Sequence, residues 1–188
     1  MSTLDLKNRT GLPDALRVLL ADYPRDLWAN DPGFHGLVSF WLDRHMSFRR
    51  LLAAMTEETE RLLDKGDPQR FGSRLSRLGS MFVQDLHGHH MIEDHQYFPK
   101  LITFDHRLTR GFDILDKDHQ ALDGLLNDFV GSANQVLTRL DDAAARQTAA
   151  GGFHGDLARL NGLIERHLTD EEDLIVPVIL KFGEDAIH

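Results

Sequence analysis

The sequence contains no cysteine in its 188 residues. Disulfide scaffolds, thiolate metal sites, iron–sulfur clusters and cysteine nucleophiles are thereby excluded. Positive charge is in deficit: 21 Lys and Arg stand against 30 Asp and Glu, a net charge of −9. Proteins that neutralise phosphates are usually basic, so nucleic acid is not an expected partner. Long apolar runs are missing too. The stretch Leu174 to Leu180, which includes Pro177, is the longest and is far too short to span a bilayer, so no membrane partner is expected. The opening MSTLDLKNRT lacks the basic-then-apolar shape of a secretory signal, and the expectation is a cytoplasmic protein. No Gly-x-Gly-x-x-Gly, P-loop, His-Glu-x-x-His or Gly-x-Ser-x-Gly motif occurs. Nor does the Glu-x-x-His pair that ferritin-like di-iron bundles place on two helices.

What remains is ordinary globular material with one excess. Apolar residues make up 41% and charged residues 27%, which argues for a packed fold rather than disorder. The length suits one domain able to bury its own core. Tyrosine and tryptophan number two each, but histidine numbers 11, where ordinary usage gives about four.

The apolar pattern is helical throughout. Leu37, Val38, Trp41, Leu42, His45, Phe48, Leu52 and Met55 recur at three- and four-residue steps, predicting a helix from about Phe34 to Leu63. It ends at the breaker Lys65-Gly66-Asp67-Pro68. A second stripe holds Leu75, Leu78, Phe82, Leu86, His89, Glu93 and Tyr97, and Pro99 is placed to bend or shorten it. The polar segment Thr103 to Arg110 reads as a turn. A third stripe runs through Phe112, Leu115, His119, Leu122, Leu126 and Phe129 to about Ala145, with a break expected at Gly151-Gly152. The fourth contains Leu157, Leu160, Leu163, Ile164, His167, Glu171, Leu174 and Val178. No stretch shows the alternation of a strand. The expectation is an all-α fold: an antiparallel up-down-up-down four-helix bundle over 34–182. An N-terminal arm over 1–33, with one short helix within Leu12 to Ala21, and a tail over 183–188 complete it.

An internal echo carries the chemistry. His89-His-Met-Ile-Glu93-Asp94 is matched by His167-Leu-Thr-Asp-Glu171-Glu172, each with a proline six residues after the glutamate, Pro99 and Pro177. His-x-x-x-Glu on a helix puts both side chains on one face, one turn apart. A neutral imidazole and a carboxylate are natural ligands for iron, zinc or manganese. A charged glutamate on a core-facing stripe needs compensation, by a metal cation, an arginine or its own protonation. In antiparallel hairpins, residues equidistant from a turn share a level. The midpoint of His45 and His89 is residue 67, and that of His89 and His119 is residue 104, both at expected turns. The midpoint of His119 and His167 is residue 143, somewhat short of the glycine pair. One histidine per helix can therefore meet at one level. Four histidines and two glutamates fit two metal ions, with both carboxylates able to bridge and positions left open for a small molecule.

The motifs HHMIEDHQYFP (89–99) and HLTDEEDLIVP (167–177) resemble those of the hemerythrin-like HHE cation-binding proteins, as do LDRHMSFRRLL (42–52) and LDKDHQALDGLL (115–126). The resemblance covers roughly residues 34–182. It implies a four-helix bundle around two non-haem iron ions, oxo- or hydroxo-bridged, with zinc or manganese as alternatives. One iron would be held by His45 and His89, the other by His119 and His167, and Glu93 and Glu171 would bridge them. The implied function is binding or reduction of a small oxidant: dioxygen, peroxide or nitric oxide. Iron sensing or storage without turnover is the alternative, and a structural bundle with incidental zinc a third. The redox partner is left open, as is whether the chain is an oxygen- or peroxide-reducing enzyme. Oxygen-carrying hemerythrins have a His-x-x-x-His pair on the third helix, whereas here position 115 is Leu and position 123 is Asp. They also follow the fourth-helix histidine with Asp five residues on, where this chain offers Glu171 or Glu172. Reversible oxygen transport is therefore weakened, and the histidines of helix two are candidates for a substitute ligand.

Other residues are weighed more plainly. His90/Asp94 repeats the ligand spacing about 100° round the helix. His87 is a candidate auxiliary, and Tyr97 a candidate border to the open positions. Asp94, Glu172, Asp118 and Asp123 are candidates to orient the histidines from behind. His35 is a helix-start residue. His95, His106, His154 and His188 read as surface. Phe34, Phe40, Trp41, Phe48, Phe82, Phe98 and Phe129 read as core.

Overall fold

The computed structural model describes residues 3–187. Among them are helices and turns with no strand. Five α-helices follow in order: α1 (Gly36–Leu63), α2 (Pro68–Ile92), α3 (Phe98–Phe104), α4 (Thr109–Leu137) and α5 (Ala143–Phe182). None is long and apolar enough to cross a membrane.

Helix boundaries follow local chemistry. Gly36 starts α1 with φ of +49°, a left-handed backbone that favours glycine, and a Cβ there would press on the Glu184 carboxylate. The same Glu184 oxygen accepts the Leu37 N–H at 2.6 Å, capping the helix. Lys65, at φ of +66°, turns the chain out of α1. Asp67 accepts the Gln69 N–H at 2.9 Å, and Pro68 sits at the first helical position of α2.

Between α2 and α3 the helix widens into a π turn, Glu93–Tyr97, in which the Phe98 N–H reaches back to the Glu93 carbonyl. Such bulges concentrate at functional sites. Pro99 then falls in the first turn of α3, directly after the π turn. The expected polar turn is narrower than 103–110. Helix α3 continues to Phe104, a 3-10 turn covers His106–Leu108, and α4 begins at Thr109.

The third interhelix break is not where the glycine pair placed it. Helix α4 ends at Leu137, α5 begins at Ala143, and Gly151 and Gly152 lie inside α5. The Asp142 side chain accepts from the N–H groups of both Ala144 and Ala145 at 3.0 Å, a strong N-cap. Each glycine costs a helix interior only about 1 kcal/mol relative to alanine, which a helix of 40 residues absorbs. The arm likewise departs from one short helix. It forms the 3-10 turns Asp14–Leu16, Val18–Ala21 and Arg25–Asn30.

The chain divides into two compact units. The first comprises Met1–Met46, His89–Ala121 and Glu165–His188. Its apolar core gathers Trp28, Val38, Trp41, Phe98, Leu101, Phe112, Leu115, Leu174, Ile175, Val176, Val178 and Ile179. The second comprises Ser47–Gly88 and Leu122–Ile164. It buries Phe48, Met55, Phe71, Leu75, Phe82, Phe129, Phe153 and Leu157. Of the aromatic residues expected in a core, Phe40 is the exception: it is 61% exposed. Adjacent Trp41 takes the inward position, and a helix step of 100° carries its neighbour outward.

Candidate metal centre

The first unit brings all six expected residues together. His45 of α1 and His89 of α2 approach with their Nε2 atoms 3.1 Å apart. His119 of α4 and His167 of α5 do the same, also at 3.1 Å. Glu93 begins the π turn, with Oε1 2.8 Å from His89 Nε2 and Oε2 3.6 Å from His119 Nε2. Glu171 Oε2 lies 3.6 Å from His45 Nε2 and 3.4 Å from His167 Nε2. Each carboxylate thus faces one histidine of each pair. Both are fully buried, at 1% and 0% exposure.

Carboxylates behind the rings fix the tautomers. His45 Nδ1 is 3.0 Å from Glu172 Oε1, His119 Nδ1 is 2.7 Å from Asp94 Oδ1, and His167 Nδ1 is 3.4 Å from Asp118 Oδ2. An ionised carboxylate only accepts, so each Nδ1 carries the proton and each Nε2 presents a lone pair to the interior. Burial holds the His89 imidazole down to about 4 and His167 well below the usual range, so both are neutral near pH 7. The Nε2 atoms therefore converge in pairs, 3.1 Å apart, beside the two buried carboxyls. Neither Glu93 oxygen nor Glu171 Oε2 has an aligned hydrogen-bond partner, and Glu171 Oε1 accepts only the Trp41 indole N–H at 3.0 Å. Burial pushes both carboxyls up to about 8, and their mutual proximity adds to the rise at Glu171. Orphaned oxygens and imidazole lone pairs aimed at common points are the donor chemistry of a divalent or trivalent cation. The donors fall into two groups able to hold an ion: His45, His89, Glu93 and Glu171; and His90, His119 and His167.

A family model described as Hemerythrin HHE cation binding domain matches residues 36–179. The chain belongs to this family. No curated protein and no solved structure matches the chain. Membership in the hemerythrin HHE family implies cation binding, and the donor groups above lie within the matched range.

Residues before that range support this hemerythrin-like site. Arg9 is buried and bridges Asp118 to Asp170, with Nη1 2.9 Å from Asp118 Oδ1 and Nε 2.7 Å from Asp170 Oδ2. Arg25 joins Glu172 at 2.8 Å and Asp173 at 2.5 Å. Arg17 also holds Asp173 at 2.5 Å. Two chains of contact result, Arg9–Asp118–His167 and Arg25–Glu172–His45. The acidic run Asp170–Asp173 is therefore neutralised mostly by the arm. Sequence reasoning missed these arginines because nothing in a local pattern links residue 9 to residue 118.

Of the four acids considered as orienting groups, Asp94, Glu172 and Asp118 do face ring nitrogens. Asp123 does not. It lies in the second unit, exposed, 3.6 Å from His87 Nδ1, and His87 is likewise exposed. Tyr97 packs edge-on against Trp41, with centroids 4.8 Å apart. His35 is exposed beside Glu184 at 3.7 Å. His95 and His106 are exposed, His154 pairs with Glu60 at 3.2 Å, and His188 lies outside the described residues. The helical step puts His90 about 100° from the site face, yet the ring is buried against His119 and His167. Its i,i+4 spacing to Asp94, which reaches His119, was the available clue.

Proposed function

We propose that the chain is a hemerythrin-like protein of the cytoplasm, an antiparallel up-down-up-down four-helix bundle with a non-haem di-iron centre that binds or reduces a small oxidant. His45, His89, Glu93, His119, His167 and Glu171 would hold the two irons, with the two glutamates shared. The observation that carries this reading is the pairing of histidine Nε2 atoms at 3.1 Å, twice, around carboxyl oxygens that no basic side chain neutralises. Bound iron would supply the redox change that dioxygen, peroxide or nitric oxide requires.

The chain's own residues do the rest. Glu172, Asp94 and Asp118 hold the Nδ1 protons, which keeps each Nε2 lone pair free and raises its basicity. Trp41 orients Glu171 through its indole N–H. Trp41, Phe98 and Leu115 are buried in the core of the same unit, an apolar surrounding that limits water and favours small, weakly polar ligands.

The test is anaerobic loading with ferrous iron, followed by separate mixing with dioxygen, peroxide and nitric oxide under optical detection. Two irons per chain and a rapid spectral change with at least one oxidant are expected. Two irons with no reaction would favour sensing or storage. Zinc uptake alone, with no colour after iron loading, would remove the redox function.

A further inference from the structure

The six-residue set leaves one buried donor on α2 without a task. His90 is 3% exposed, and neither ring nitrogen has a hydrogen-bond partner. An imidazole must carry at least one N–H, and burying it unpaired is costly without a compensating role. Two imidazoles surround it. The ring stacks on His119 with centroids 3.9 Å apart and planes at 8°, and it meets the His167 edge at 5.2 Å and 81°. One nitrogen from each of the three lies within 4.8 Å of the others. No acid or backbone carbonyl competes for the His90 nitrogens.

We infer that His90 is a fifth histidine donor, which with His119 and His167 forms a three-imidazole site for one metal. The other metal falls to His45 and His89. The inference rests on the metal-binding reading above and deepens it. Helix α4 has no second histidine one turn from His119, since position 115 is Leu and position 123 is Asp. Helix α2 makes up that donor by turning two adjacent histidines inward. The two metals are then unlike: three nitrogens on one, two on the other, with Glu93 and Glu171 facing both groups.

A core-packing role for His90 makes opposite forecasts, so the His90→Leu variant separates the two. Leucine fills much of the ring's space and has no donor. Iron content and Mössbauer spectra are measured on the full chain, beside the melting temperature of the metal-free form. The parent should hold two irons per chain with two distinct quadrupole doublets. In His90→Leu one doublet should be lost or shifted and iron should fall toward one per chain, while the metal-free form melts higher because the unpaired N–H is gone. His90→Gly with added imidazole should regain the parent spectrum. Pyrrole, a ring of the same size with no free nitrogen lone pair, should not restore it. Two irons with both doublets unchanged in His90→Leu would overturn the fifth-donor role alone, as would equal rescue by pyrrole. A parent chain that takes up fewer than two irons would overturn the di-iron reading, and His90's role with it.

Discussion

The two compact units draw on the same four long helices and bury very different chemistry. In the second unit the buried polar residues are Glu58 and Thr59. Thr59 donates to the Met55 carbonyl at 2.7 Å, and Glu58 sits 2.6 Å from Arg61 Nη1 and 2.7 Å from Arg74 Nε. Every other buried polar or charged group among the described residues lies in the first unit. There Asp118, Asp170, Glu172 and Asp173 have arginine partners, but Glu93 and Glu171 have none. The contrast shows how a helical pattern is read. A glutamate on an inward stripe is unremarkable when an arginine follows it in space, and it marks a cation site when only imidazole lone pairs do.

The largest expected effect breaks the contrast at its source. Glu93→Ala or His89→Ala should abolish binding of two metals per chain, read by elemental analysis of the reconstituted protein. Full retention of both metals in either variant would refute the ligand set. Arg9→Met should come next. It leaves Asp118 and Asp170 buried without their cation, at a cost of about 3–5 kcal/mol. It should also weaken metal affinity by roughly 10–100-fold through loss of the support behind His167. Chemical denaturation and a metal titration check the two parts separately.

A mutation in the other unit sharpens the comparison. Phe82 is fully buried, its ring 5.9 Å from Phe129. Phe82→Ala should cost about 3–5 kcal/mol by denaturation and leave metal stoichiometry unchanged. Loss of metal with loss of stability there would contradict the division of labour.

Proton linkage gives a smaller effect with a definite sign. Glu93 and Glu171 titrate near 8 when folded and near the ordinary 4.5 when unfolded. The folded chain therefore holds protons that the unfolded chain releases. The resulting stability is full below about pH 4.5 and is lost as pH rises to about 8. His89 acts oppositely: it is held near 4 against an ordinary 6.5, so its contribution is complete above pH 6.5. Between pH 6.5 and 8 the metal-free chain should lose stability with rising pH, by up to about 1.4 kcal/mol per unit for each proton released. The metal-loaded chain should lack this slope, because a cation replaces the protons. Melting temperatures of both forms across that window test the difference. The smallest effect is Gly151→Ala, which should stabilise α5 by up to about 1 kcal/mol, since nothing lies within 4 Å of the added Cβ.

Much of the site was legible in the sequence because helices convert spacing into direction. His89/Glu93 and His167/Glu171 announce themselves at i,i+4, and hairpin midpoints place His45 and His119 at the same level. The residual mismatch came from a misplaced break. With α4 ending at Leu137 and α5 starting at Ala143, the midpoint at residue 143 falls beside the actual turn. Gly151 and Gly152 do not end a helix there, and the Asp142 cap sets the start of α5. The rest was illegible for a different reason. The π turn changes the helical phase by one residue, and no propensity marks it in advance. Arg9 and Arg25 act across more than a hundred residues, so they appear only once the chain is folded.

The central claim is that Glu93 and Glu171, buried with no basic side chain beside them, hold metal, and iron content with an optical spectrum tests it most directly. Protein loaded anaerobically and exposed to air should contain two irons per chain and show charge-transfer absorption in the near-ultraviolet. Substoichiometric metal, or a colourless protein holding zinc alone after iron loading, would contradict it.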